Sequence, residues 1–252
     1  MKGNLLLFAV LSALVWSCSD DENTDQPPPI NLKGGITGVV GLEDEFGNAL
    51  ASDSGMKVSV SSIDYAYSDT NGIFLINELA EATYTVVYEK PGCGTFKKFG
   101  IPVEPANGNG ITQLTGTDVL GQQSTTLITN LSVSLNVSDS TITIACNVGP
   151  SPSASQPRSF RLFFGNNASV SSSDYYFTPS SSWSSTTSSG AVLGFQRSIL
   201  YNAGFAKGST AWVVAYGESA RSNSYSDPSN GKKVFPNLNT ASPSNIVQFI
   251  VP

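Results

Sequence analysis

The sequence predicts an all-β protein: two antiparallel β-sandwich domains in tandem after a signal peptide and flexible linker. Three observations carry that prediction. Charged residues make up only 13% of the 252 residues, while Ser, Thr, Asn and Gly are abundant, a mixture that favours short strands and turns over helices with charged outer faces. Apolar and polar residues alternate in short runs separated by clusters of Gly, Asn, Asp and Pro, the pattern of half-buried strands joined by turns. The chain is also longer than one small sandwich needs and suits two domains, each able to bury its own core.

Residues 1–17 come first. Met1-Lys2 and the apolar run from Leu5 to Val15 have the positive start and short hydrophobic core of a secretory signal, too short to span a bilayer comfortably. The run ends at Leu14-Val15-Trp16-Ser17-Cys18, which resembles a lipobox, with Trp16 in place of the usual small residue. The resemblance implies cleavage before Cys18 and lipid on its thiol. Ser19-Asp20-Asp21-Glu22 then resembles the acidic export signal of Bacteroidota lipoproteins, which implies display on the outer face of the outer membrane; a plain solvated acidic tail is the alternative. Residues 18–33, with Pro27-Pro28-Pro29 in the middle, read as a lipid-anchored linker stiffened by polyproline conformation. Fully extended it reaches about 50 Å at roughly 3.3 Å per residue.

Residues 34–105 read as the first sandwich. Ile36 to Val40, Met56 to Val60, Ile73 to Ile76 and Thr83 to Tyr88 are strand-like, and the acidic segment Glu43-Asp44-Glu45-Phe46-Gly47-Asn48 reads as a surface turn. Ser68-Asp69-Thr70-Asn71-Gly72-Ile73-Phe74, followed by Leu79, Tyr84, Val86 and Lys90-Pro91-Gly92, resembles the carboxypeptidase regulatory-like family. That likeness implies a prealbumin-like seven-stranded sandwich with no catalytic residues of its own. Ala82 and Cys93 depart from the family pattern. Asp69 and Asn71 suggest either a calcium ligand or a turn that satisfies its own backbone, and the turn is preferred because calcium needs several more oxygen donors. Related collagen-adhesin domains cross-link a Lys to an Asn or Asp, a chemistry for which Lys57 has no evident acceptor.

Residues 106–124 are rich in Gly, Asn, Gln and Thr and read as linker or edge strand. Residues 125–252 form the second sandwich, with strands expected over Leu131 to Leu135, Thr141 to Cys146, Phe160 to Phe164, Ala211 to Tyr216 and Asn245 to Val251. The order of strands is similar to a fibronectin type III or immunoglobulin-like module in outline. Alternation puts Trp212, Val214 and Tyr216 on one face, as in a core strand. The Ser-rich stretch 169–190 holds Tyr175, Tyr176, Phe177 and Trp183, and a loop this long in a small domain is functional or disordered. These rings either pin the loop to the sandwich or form a ligand-binding patch. Asp139-Ser140-Thr141 resembles a short O-glycan acceptor.

Composition bounds the chemistry. The absence of His removes the commonest general base, the usual metal ligand and every imidazole-dependent triad. A net charge of −6, which becomes −7 when residues 1–17 take away one Lys and no acid, argues against nucleic acid as a partner. Cys93 and Cys146 lie on opposite halves and read as free thiols or an interdomain disulfide. No cofactor and no metal site is expected. The sequence therefore points to a non-catalytic cell-surface lipoprotein for binding or adhesion, taking a glycan or protein partner, with a structural spacer or fimbria-like subunit as the alternative. A glycoside hydrolase using paired carboxylates is a third reading.

Overall fold

The computed structural model describes residues 32–105, 110–136 and 141–252. Cys18, Ser19, Asp20, Asp21 and Glu22, and with them Asp139-Ser140, lie outside the described residues. Within the described part the protein is all-β, built as two sandwiches.

In the first sandwich the strands run β1 (Gly34–Glu43), β2 (Lys57–Ser59), β3 (Tyr65–Tyr67), β4 (Ile73–Leu79), β5 (Ala82–Glu89), β6 (Phe96–Val103) and β7 (Ile111–Gly121). They form sheets of order β4-β1-β7 and β3-β2-β5-β6. Within the stretch 106–124, Ile111–Gly121 is thus an edge strand of the first sandwich, running parallel to β1. Ile36, Val40, Leu42, Met56, Val58, Phe74, Ile76, Val86 and Tyr88 meet in its core. Between β3 and β4, Asp69 Oδ1 accepts the amides of Asn71 at 2.9 Å and Ile73 at 2.8 Å. Gly72 has φ +76, and a Cβ there would lie 2.0 Å from the Val40 carbonyl oxygen, so this turn needs glycine for both conformation and space. The Asp69 side chain closes a turn; the residues that resemble the regulatory-like family do backbone work. Asp69→Ala is expected to lower stability by about 0.5–1.5 kcal/mol, measured by urea unfolding.

The second sandwich begins with β8 (Leu127–Asn136), β9 (Thr141–Gly149), β10 (Arg158–Gly165), β11 (Trp183–Ser185) and β12 (Gly190–Gln196). A six-residue helix follows, α1 (Arg197–Asn202), which the all-β reading does not anticipate. Then come β13 (Thr210–Glu218), β14 (Tyr225–Ser226), β15 (Lys233–Val234) and β16 (Val247–Ile250). The sheets are β11-β10-β13-β16 and β12-β9-β8, with β14 and β15 paired as a hairpin on the connection between β13 and β16. Phe160, Leu162 and Phe164 of β10 and Ala211, Val213 and Ala215 of β13 face the core between the sheets. The opposite face is covered as well. Phe163, Val214 and Tyr216, with Trp212 beside them, pack beneath Val170, Tyr175, Phe235 and Leu238. Trp212, Val214 and Tyr216 do share a face, but it is the outer one, roofed by two long connections.

Both remaining cysteines are free. Cys146 is in the second core, where burial pushes its thiol pKa up to about 11, and Cys93 packs at the edge of the first. Burial raises the Cys93 thiol pKa as well, against the opposing charge of Lys90, so neither thiol is activated.

The junction between the sandwiches is polar, and it corrects the expectation for the acidic segment. Glu43 and Glu45 do not dangle in a surface turn; each is half-buried and holds an arginine of the second sandwich. Arg221 donates from Nε and Nη2 to the two Glu43 oxygens, both at 2.6 Å. Arg158 donates to Glu45 at 3.1 Å and lies 5.0 Å from the Phe46 ring centroid, while Thr125 donates from its amide and hydroxyl to the same carboxylate. At the centre is Asn237, 1% exposed. It accepts the Gly94 amide at 3.0 Å and donates to the Arg221 carbonyl at 2.6 Å and to Asn223 Oδ1 at 2.7 Å.

Candidate functional site

The Ser-rich stretch leaves β10 at Gly165 and returns to pair with the same strand. The amide of Tyr176 donates to the Phe164 carbonyl, and that of Phe164 to the Phe177 carbonyl, both at 2.8 Å. Trp183 then opposes Phe160 in the β10–β11 register. Phe177 and Trp183 therefore sit at rungs four residues apart on β10, roughly 13 Å at about 3.3 Å per residue.

The four aromatic side chains do not form one patch. Phe177 packs on Phe164 with ring centroids 5.7 Å apart, and Trp183 on Phe160 at 5.0 Å, both on the core side of the sheet. Tyr175 turns to the opposite face, against Phe163 at 5.1 Å, and its hydroxyl donates to the Lys233 carbonyl at 2.7 Å. Tyr176 is exposed and stands edge-on over Phe205. Alternation along β10 explains the split, because successive side chains of a strand point to opposite faces of its sheet.

Trp183 borders a cleft of about 250 Å³ lined by Phe160, Leu162, Pro179, Leu193, Phe195 and the serines 180–182. It opens between β11 and β12, the edge strands of the two sheets. Its floor is apolar, and Ser180 and Ser181 are exposed at the rim. The volume is below the roughly 300–1,000 Å³ of clefts that enclose drug-sized molecules, which suits a single ring.

The residues that hold this loop in place escape sequence reasoning. Arg161 and Glu218 form a buried pair on the outer face, with side chains 6% and 1% exposed and Nε 3.0 Å from both carboxylate oxygens. Arg161 also donates from Nη1 to the Pro179 carbonyl at 2.8 Å and lies 4.1 Å from the Phe235 ring centroid. Burial raises the Glu218 pKa, opposed by the Arg161 charge and by hydrogen bonds from Arg161 and Ser182. The pair thus grips the loop at Pro179 and Ser182, the residues that lead into Trp183. Only the odd placement of an Arg amid the apolar run Phe160 to Phe164 hints at it in the sequence.

A second cleft of about 370 Å³ lies by Tyr175, between the 172–175 turn and the β14–β15 hairpin. Glu43, Glu45, Asp118 and Glu218 are each bound by a Lys or Arg, while Asp44, Asp53, Asp64 and Asp227, also partly buried, accept hydrogen bonds from nearby amides or serine hydroxyls. No group of three or more Cys, Asp or Glu side chains among the described residues is placed to hold a metal ion.

No family model matches the sequence, and no curated protein matches it either. Among solved structures, the chain is similar to a provisionally named carbohydrate-binding protein from Bacteroides uniformis, at 15% identity and TM-score 0.33, over 86% of this chain and 98% of that one. It is also similar to a DUF3823 family protein from Parabacteroides merdae, at 9% identity and TM-score 0.31, over 86% and 98% of the two chains. A third is the major pilin of Corynebacterium diphtheriae, at 12% identity and TM-score 0.25, over 86% and 65%. Scores this low carry no conclusion about what the chain binds.

Proposed function

We propose that this chain is a non-catalytic, lipid-anchored protein of the outer-membrane surface whose second sandwich captures a glycan in the Trp183 cleft. The observation that carries the reading is the cleft itself: an indole beside an apolar floor, rimmed by serine hydroxyls. A sugar ring has an apolar face that packs on an aromatic plane and hydroxyls that need donors and acceptors at the edge, and this combination supplies both. The lining of the Trp183 cleft, which contains no Asp or Glu, supports binding over catalysis by two carboxylates, since a general acid and base must meet the substrate.

The test is a titration with a panel of neutral oligosaccharides. Residues 18–252 keep only two tryptophans, Trp183 and Trp212, and Trp212 packs under the outer-face connections. Binding should shift the emission, and Trp183→Ala should abolish both that shift and the heat of binding in calorimetry. No response to any glycan would favour the second reading, a structural spacer, which draws support from the polar junction that fixes one sandwich on the other. Anchoring is tested separately. Labelled palmitate should enter the wild type, and Cys18→Ala should move the protein from the membrane to the soluble fraction.

A further inference from the structure

From the cleft beside Tyr175, we infer a second binding site, for a sugar residue that carries an anionic group, on the face of the β10–β13 sheet opposite Trp183. Its lining includes Gln123, Tyr175, Asp227, Asn230, Lys232 and Lys233. The two lysines are adjacent on a chain of net charge −6, and their surroundings leave them available to a ligand. Lys232 meets Asp174 at 3.5 Å, in a contact where both side chains are largely exposed, and lies 5.8 Å from the Tyr175 ring centroid, so the ion pair is weak and screened. Lys233 makes no ion pair within 4.0 Å among the described residues; its ammonium lies 5.8 Å from the Phe235 ring centroid, and its charge acts at longer range on the buried Glu218 carboxyl.

The hairpin that presents them is tightly built. Asp227 Oδ1 accepts from the amide and hydroxyl of Ser229 at 2.9 and 2.7 Å, the Gly231 amide donates to the Asp227 carbonyl at 2.7 Å, and the Lys232 amide to Asn230 Oδ1 at 2.8 Å. These bonds engage Asp227 Oδ1 and Asn230 Oδ1, and the two side chains line the cleft with planar polar groups of the kind that bind neighbouring hydroxyls. The Tyr175 hydroxyl clamps the opposite wall onto the hairpin through the Lys233 carbonyl. An aromatic wall, planar polar groups and two loosely engaged ammonium groups fit a ring with hydroxyls and a carboxylate or sulfate. A neutral sugar would leave the cations unused, and a bare inorganic anion would leave the aromatic wall and the amides unused.

Calorimetry on the mature chain tests this with four probes: an oligogalacturonate, a sulfated heparin-derived oligosaccharide, a neutral oligosaccharide of the same length, and inorganic sulfate. At least one acidic oligosaccharide should bind, more weakly as salt rises. The double variant Lys232→Gln/Lys233→Gln should lose about tenfold or more in affinity, as expected for removing two charges that meet the ligand, while its circular dichroism spectrum and its binding at the Trp183 cleft stay those of the wild type. Trp183→Ala should leave this binding intact, so failure here and failure at the Trp183 cleft are distinguishable. The proposal is overturned if no acidic oligosaccharide binds, if the double variant binds as the wild type does, if the neutral oligosaccharide competes equally, or if sulfate alone binds as tightly as the saccharides.

Discussion

Arg161→Met will destabilise the protein by about 3–5 kcal/mol, the cost of stranding one partner of a buried ion pair. Methionine keeps an apolar stem of similar length but loses the guanidinium that lies over Phe235 and supplies no charge for Glu218, whose side chain is 1% exposed. The loss depends on pH, and its sign follows from Glu218. Burial raises that carboxyl's pKa above its ordinary 4.5 even with Arg161 opposing, so the folded state binds the proton more tightly than the unfolded one. Its contribution is therefore fullest at low pH and is lost as pH rises through the folded-state value. Removing Arg161 raises that value further, so the gap between variant and wild type should be widest at neutral pH and narrow toward pH 4.5. Urea unfolding of both proteins across that range reads it directly. The double variant Arg161→Met/Glu218→Gln should recover most of the loss, because a neutral amide needs no counter-ion. A gap that stayed constant with pH would mean that packing, not the buried charge, sets the cost.

The same variant links the fold to the Trp183 cleft. Arg161 holds the Pro179 carbonyl and Glu218 takes a hydrogen bond from Ser182, so losing the pair loosens the segment that delivers Trp183 to Phe160. In conditions where Arg161→Met remains folded, glycan affinity should fall as well, through a site that the substitution does not touch.

Local features of the architecture are legible in the sequence, and long-range polar ones are not. Runs such as Thr141 to Cys146 and Phe160 to Phe164 announce strands because alternation and β-branched or aromatic residues act within a few positions. The Asp69 to Gly72 turn is equally local. By contrast β6 contains Gly100 and Pro102, breakers that an edge strand tolerates because its outer N–H groups need no partner. Strand β12 is hidden in the same way by Gly190 and Gly194 at the edge of its sheet. The loop aromatics are visible as a group, but their division between two faces depends on the register with β10, which no nearby residue encodes. The ion pairs of Glu45 with Arg158 and Glu43 with Arg221 join residues 113 and 178 positions apart. Nothing beside Glu43 or Glu45 distinguishes a docking carboxylate from a solvated one.

That junction yields the second large effect. Asn237→Ala removes one acceptor and two donated bonds at a site with 1% exposure, leaving the Gly94 amide, the Arg221 carbonyl and Asn223 Oδ1 to find other partners. At about 1–3 kcal/mol for each buried polar group left unsatisfied, less whatever an entering water restores, the expected loss is about 3–5 kcal/mol. The loss falls between the cores, not within either, so it should uncouple them. Wild type, whose two sandwiches belong to a single contact unit from Leu32 to Pro252, should unfold in one cooperative transition; Asn237→Ala should unfold in two, with each core melting at its own midpoint in differential scanning calorimetry. Gly94→Ala is an independent route to the same outcome. A Cβ there would lie 2.1 Å from the Pro236 carbonyl oxygen, and backbone on both sides leaves only separation of the sandwiches to relieve the clash. If both variants keep a single transition at the wild-type midpoint, the Asn237 contacts do not couple the two halves, and the coupling rests on the Glu43–Arg221 and Glu45–Arg158 pairs and the aromatic contacts of Tyr225 with Phe96 and Phe99 instead.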